Sequence, residues 1–176
     1  INGLTDHSHP CQALADFMTI KENFSDLSQL KIAYLGDGNN VCRSLVNMAQ
    51  VLGINIVISN PPSFELTTNT SVTRVSDPKI AVAGAHVVYT DTWISMGQES
   101  ETDQRRTTLA PYQVTPELMA KANKDALFMH PLPAHHGQEI SKEMLDHPQS
   151  IVYDQAENRL HIQKSILTLM LSYKED

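Results

Sequence analysis

Three short polar stretches hold the residues able to do chemistry. They are Asp37-Gly38-Asn39-Asn40, the run from Asp91 to Gly97, and the run from His130 to Gly137. In the first, "GDGNNV" resembles half of a dinucleotide fingerprint, but Val41 stands where a third glycine belongs. The next apolar run ends in Ser59-Asn60, with no acid to hold a ribose. Two other readings stay open. One is a tight turn in which Gly38 tolerates unusual backbone angles. The other is an anion site in which Asn39 and Asn40, at a helix N-terminus, offer backbone N–H groups and side-chain amides to a carboxylate or phosphate. In the second stretch, an acid follows an apolar strand, then an aromatic, then Ser95-Met96-Gly97. That order suits a flap closing over a ligand, or an ordinary loop with Trp93 tucked into the core. In the third, two prolines bracket Leu132 and three histidines fall within seven residues. A metal site, a rigid turn and a substrate pocket all fit.

The metal reading weakens on spacing. His7, His9 and Cys11 alternate and His135-His136 are adjacent, neither of which is a usual zinc pattern, and CxxC and HExxH are missing. No metal is expected, and His7, His135 and His136 read as solvent-facing loop residues. A triad of Asp91, His130 and a serine lacks a nucleophile elbow.

The elements that must position these stretches follow from apolar periodicity. Runs at 31–36, 54–59, 86–90, 126–129 and 150–154 read as short buried strands. Val41, Leu45, Met48 and Leu52 recur at helical spacing, and Gly53 stops that helix. Further helices are expected near 78–84, 116–122 and 142–146. Flanking helices are expected over 10–23, with Cys11, Leu14, Phe17 and Met18 on one face, and over 155–173, with Ile162, Ile166, Leu169 and Tyr173 aligned. Residues 60–77 are rich in turn formers and read mostly as loop. This alternation predicts an α/β fold: a doubly wound, five-stranded parallel sheet with helices on both faces. The three polar stretches then fall at the carboxyl ends of strands, where such sheets bind ligands.

Bulk properties narrow the partners. The 176 residues suit one domain, and a formal charge of −7 with no basic cluster beyond Arg105-Arg106 argues against nucleic acid. No apolar run approaches the roughly 20 residues that span a bilayer. Cys11 and Cys42 lie at apolar helical positions, so a reducing, cytoplasmic setting is expected. The opening "INGLTDHSHP" lacks signal-peptide character and begins without Met, so a fragment of a longer protein is expected.

Four segments carry a resemblance that spans nearly the whole chain: "DHSHPCQALAD", "YLGDGNN", "DTWISMGQE" and "AENRLHIQ". Together they resemble the second half of a transcarbamylase, specifically of the ornithine carbamoyltransferases. The resemblance implies a linking helix with the His-Pro-x-Gln motif over 1–24, an ornithine-binding α/β domain over 25–154 and a C-terminal helix over 155–176. It implies that His9 and Gln12 contact the carbonyl oxygen and amine of carbamoyl phosphate, with Arg159 reaching the same substrate and Leu132 accepting through its carbonyl. Asn40 would hold the carboxylate of ornithine and Asp91, Ser95 and Met96 its α-amino end, with Leu132 belonging to the ornithine site as well. The catalytic set would be Asp91, Arg159 and the position of Pro131. Catalysis would rest on orientation and charge stabilisation, with no cofactor. The family's homotrimer is the expected assembly.

Two departures qualify this expectation. The family's first half, with its Ser-x-Arg-Thr-Arg phosphate loop, is missing, and "SVTRV" at 71–75 has the wrong spacing to replace it. The stretch 60–77 also reads short for the family. Second, the family's usual His-Cys-Leu-Pro is here His130-Pro131-Leu132-Pro133, as in the aspartate transcarbamylases, while Asn40 and Ser95-Met96-Gly97 follow the ornithine pattern. Ornithine is the first expectation. A related amine such as putrescine, a modified ornithine, aspartate more remotely, and a non-catalytic paralogue are the alternatives. The Leu132-Pro133 bond is expected to be cis.

Overall fold

Alternate residues of each strand face different helical layers, and that alternation organises the molecule. The computed structural model describes residues 1–94 and 102–172. Its sheet consists of β1 (Lys31–Leu35), β2 (Asn55–Ser59), β3 (Thr73–Arg74), β4 (Val87–Thr90) and β5 (Leu127–Met129). All neighbours run parallel, in the order β3-β2-β1-β4-β5. Ile32, Tyr34, Ile56, Ile58, Val87 and Tyr89 pack on one face against α1 (Pro10–Asn23) and α2 (Asn40–Leu52). Ala33, Leu35, Val57, Val88 and Phe128 pack on the other against α3 (Pro78–Val82) and α5 (Pro116–Met119). Strands buried on both faces must be apolar throughout, which is why they read as continuous runs. Each large aliphatic side chain removed from water contributes about 1.5–3 kcal/mol.

The helix ends have local causes. Proline at the first position of α1, α3 and α5 gives up an N–H that no helix would use. Asn39 caps α2, its side chain accepting from the N–H groups of Val41 and Cys42. Gly53 ends α2 in the left-handed region, at φ 67°. The remaining helices are α4 (Thr102–Leu109) and α6 (Val152–Ser172), which packs along α1.

Several local expectations differ from the structure. Residues 150–154 are not a strand: Ser150 makes one parallel bridge to Phe128, and α6 begins at Val152. Apolar residues at 151–152 suit a buried helix start as well as a strand, so periodicity over so short a run could not separate the two. The fifth strand is instead β3, two exposed residues within the expected loop 60–77. It pairs only through backbone groups at the sheet edge, which leaves no side-chain pattern. Residues 142–146 form turns, not a helix. Gly38 does not use unusual angles; Gly36 does, at φ 110°. Gly38 is needed for closeness instead, because a Cβ there would lie 2.2 Å from the Leu66 backbone nitrogen. In α6, Ile162 and Ile166 are partly covered and Leu169 is exposed. Twenty-one residues of helix outrun the fourteen of α1. Tyr173 lies outside the described residues.

Candidate active site

The chain turns from β1 to β2 on one side of the sheet and places β4 on the other, so the switch point lies between β1 and β4. Asp37 to Asn40 leave β1 there and Asp91 leaves β4 beside them. The amide of Asn39 donates to Asp91 Oδ2 at 2.7 Å, and the Thr92 backbone N–H donates to Asp91 Oδ1 at 2.8 Å. Two of the three polar stretches therefore meet in one place. Burial pushes the Asp91 carboxyl above its ordinary value, while nearby His130 and the two hydrogen bonds draw it back. A buried acid of this kind gains most from a cationic partner.

Asp37 pairs with Arg105 of α4, whose guanidinium also stacks 4.3 Å above the Phe64 ring. Arg105 Nε donates to the Trp93 carbonyl at 2.5 Å. Trp93 itself is buried. The flap expected over Ser95-Met96-Gly97 lies outside the described residues.

The third stretch follows β5. His130 is buried, with its backbone N–H donating to Gln155 Oε1 at 2.9 Å and its Nε2 lying 3.3 Å from Glu139 Oε1. Burial pushes the Glu139 carboxyl up, but bonds from His130 and from the His135 backbone N–H outweigh it and hold the carboxyl below its ordinary value. The Leu132-Pro133 peptide is cis, as expected, and Leu132 and Pro133 are exposed. Pro131 presents a ring where a thiol or an N–H donor could otherwise stand. His7, His135 and His136 are exposed, as the loop reading expected. Among the described residues, no group of three or more His, Cys, Asp or Glu side chains could hold a metal.

A second cluster joins the two ends of the chain. Arg159 of α6 donates through one terminal nitrogen to His9 Nε2 at 3.2 Å and to Gln12 Oε1. Burial and the Arg159 charge lower the His9 pKa, so the imidazole is neutral at physiological pH. This cluster is tied to the switch point. The His9 backbone N–H donates to Ser44 Oγ of α2 at 2.8 Å, and the Asn40 amide donates to the Thr5 carbonyl at 2.7 Å. These bonds tie His9, Gln12 and Arg159 to Asn40 and α2, while Pro131 and Leu132 follow β5 in the chain.

Sequence reasoning passed over Asp16 and Gln155, and read Asn39 only as an anion ligand at a helix N-terminus. Asn39 is both the α2 cap and the partner of Asp91. Asp16 is fully buried on the apolar face of α1 and accepts from Gln12, Gln155 and Tyr89. A carboxylate four residues after Gln12 and amid apolar neighbours was the available signal.

The chain is similar to known proteins along nearly its whole length. Residues 28–170 match the family described as aspartate/ornithine carbamoyltransferase, Asp/Orn binding domain. The chain is 49% identical to an ornithine carbamoyltransferase of Symbiobacterium thermophilum, over 98% of this chain and 60% of that protein. It superposes on the ornithine carbamoyltransferase of Pyrococcus furiosus with a TM-score of 0.93 at 45% identity, covering 99% of this chain and 60% of that one. On the Thermus thermophilus enzyme the TM-score is 0.89 at 39% identity, covering 97% and 58%. The chain thus spans about three fifths of the length of these relatives. The Symbiobacterium match extends over 185 residues, more than the 176 of this chain, so that relative carries residues here which this chain lacks.

Proposed function

Because the chain belongs to the aspartate/ornithine carbamoyltransferase family, as its C-terminal Asp/Orn-binding domain, we propose that it forms the amino-acid half of an ornithine carbamoyltransferase. The reaction is attack by the neutral δ-amine of ornithine on the carbamoyl carbon of carbamoyl phosphate, giving citrulline and phosphate. The observation that carries this reading is the meeting of Arg159 with His9 and Gln12, beside the edge that holds Asp91 and Asn40. One cluster is suited to a carbonyl that becomes an oxyanion, the other to an amino acid.

The roles follow from charge. Arg159 and neutral His9 stabilise the developing negative charge on the carbamoyl oxygen, and Gln12 holds the carbamoyl nitrogen. Leu132 lends its carbonyl to the same side. The Asp91 carboxylate takes the α-ammonium of ornithine, with Ser95 and Met96 assigned to that end by motif alone. Asn40 exchanges its bond to Thr5 for the carboxylate of ornithine. The phosphate needs the family's Ser-x-Arg-Thr-Arg loop, which these 176 residues do not contain, so the polypeptide 1–176 by itself is expected to be inert. The complete enzyme is proposed to be a cytoplasmic homotrimer.

Pro131 favours a second reading. It removes the thiol that the family places near the attacking amine, so a related amine or a modified ornithine is the rival substrate. The test is a panel of ornithine, putrescine, N-substituted ornithines and aspartate, each with carbamoyl phosphate, on a polypeptide spanning the full length of its relatives. Ornithine as the best substrate supports the proposal. Preference for another amine replaces the substrate, and no transfer to any amine leaves a non-catalytic paralogue.

A further inference from the structure

Asp16 is the one fully buried carboxylate of α1, and nothing in the proposed chemistry uses it directly. Its Oδ1 accepts from Gln12 Nε2 at 2.8 Å and from Gln155 Nε2 at 2.7 Å. Its Oδ2 accepts from the Tyr89 hydroxyl at 2.8 Å. An ionised carboxylate can only accept. Both glutamine NH₂ groups are therefore committed to Asp16, and both amide oxygens must face outward. Gln12 Oε1 then meets Arg159, and Gln155 Oε1 takes the His130 backbone N–H at 2.9 Å, at the start of the 130–133 turn. Either glutamine, turned over, would present a donor where it now presents an acceptor.

A carbamoyl group carries an NH₂ with two hydrogens to place and so requires acceptors around it. We propose that Asp16 is a positioning residue for the carbamoyl nitrogen: it fixes the amide orientation of Gln12, and through Gln155 the seat of the His130–Pro133 turn, so that both present acceptors to that NH₂. This rests on the carbamoyl-transfer reading above. A purely structural role would be served as well by an apolar residue packed into α1, without the desolvation that a buried charge imposes. The charged and titratable groups facing Asp16 are Tyr89 from β4 and Arg159 from α6. Burial pushes the Asp16 carboxyl up to about 6, against which the bonds from Gln12, Gln155 and Tyr89 and the charge of Arg159 act. Protonation turns one carboxyl oxygen into a donor, and one of its three partners must then turn away. Gln12, Gln155 and Tyr89 all donate to Asp16 together only above that pH.

The experiment compares Asp16→Asn with the parent in a polypeptide spanning the full length of its relatives, from pH 5.5 to 9. In the variant, kcat/KM for carbamoyl phosphate should fall about 10-fold or more, as when a hydrogen bond to a charged group is lost. KM for ornithine should stay within about threefold, because Asp91 and Asn40 are untouched. The parent profile should show an inflection near pH 6 that the variant lacks. A merely structural role would lower the yield of folded enzyme without removing that inflection. Should the variant fold poorly, the parent chain offers a second readout. The Gln12 and Gln155 side-chain NH₂ resonances should titrate together with a midpoint near 6, and resonances that ignore pH across this range would overturn the proposal. An active parent matched by Asp16→Asn in both kcat/KM and pH profile overturns the Asp16 role alone. A parent inactive with every amine overturns the carbamoyl-transfer reading, and this inference with it.

Discussion

The pH dependence of stability offers a test of the Asp16 network that needs no substrate. In the folded chain burial raises this carboxyl from 3.8 to about 6. The sign follows from linkage. The folded state holds the Asp16 proton more tightly than the unfolded state does, so the stabilisation is fully present below the unfolded value and is lost as pH rises through the folded one. A shift of about 2 units at 1.36 kcal/mol per unit gives about 3 kcal/mol between the limits. Between pH 4.5 and 7, where most other carboxyls stay ionised, a single-site titration leaves about 2 kcal/mol of that swing. Asp16→Asn cannot titrate and loses it. Urea unfolding of parent and variant at several pH values, followed by Trp93 fluorescence, gives both free energies. The quantity to plot is parent minus variant, which removes the other titrating groups they share, including Asp91 and Glu139. It should fall by about 2 kcal/mol from pH 4.5 to 7. A flat difference would mean that Asp16 titrates normally and is not buried among its three partners. A rise would mean that its bonds outweigh its burial and that the folded pKa is depressed.

Other outcomes follow from the same geometry. Asp91→Asn in the full-length enzyme removes one charge-assisted bond to the α-ammonium, so ornithine binding should weaken by about 1.5–3 kcal/mol while carbamoyl phosphate KM hardly changes; equal losses for both substrates would refute the assignment. Gly38→Ala drives a Cβ to 2.2 Å from the Leu66 nitrogen. Backbone atoms must move, and denaturant unfolding should register a loss of about 1–3 kcal/mol, whereas an unchanged midpoint would show that the 64–66 segment gives way freely. Pro131→Cys should raise kcat with ornithine and leave KM nearly unchanged, because a thiol beside the attacking nitrogen acts mainly in the transition state. Equal kcat would make Pro131 neutral, and reduced activity with another amine would identify that amine as the substrate. Finally, kcat/KM should rise with pH across the neutral range, since an alkyl ammonium of pKa roughly 10 must lose its proton before attack; a falling profile would exclude the amine as nucleophile.

Much of this was readable along the chain. Strands buried on both faces need apolar residues at every position, so β1, β2, β4 and β5 announced themselves, and Pro10, Asn39 and Gly53 marked helix ends by their own backbone chemistry. The polar residues directly after those strands could be read as a ligand edge, because a parallel sheet places all its carboxyl ends on one side. The positions of Asp91, Asn40, His9, Gln12 and Arg159 came from motifs for the same reason: short motifs keep their spacing. What the chain alone could not supply was anything decided by a distant partner. β3 exists only because β2 offers its edge to Thr73 and Arg74. Whether 150–154 became strand or helix depended on distant cover: Val152 joins the core that holds Val88 and Phe128, and α6 packs along α1. Gly38 looked like a conformational glycine, yet its need arises from Leu66, 28 residues away and brought within contact by the turn after β2. Asp16 went unread along the chain, because its partners Gln155 and Tyr89 close on it from α6 and β4. Local backbone preferences and apolar period act over a few residues and are written in order. Burial, close approach and the partner of a buried charge act between residues far apart in sequence, and only the folded chain brings them together.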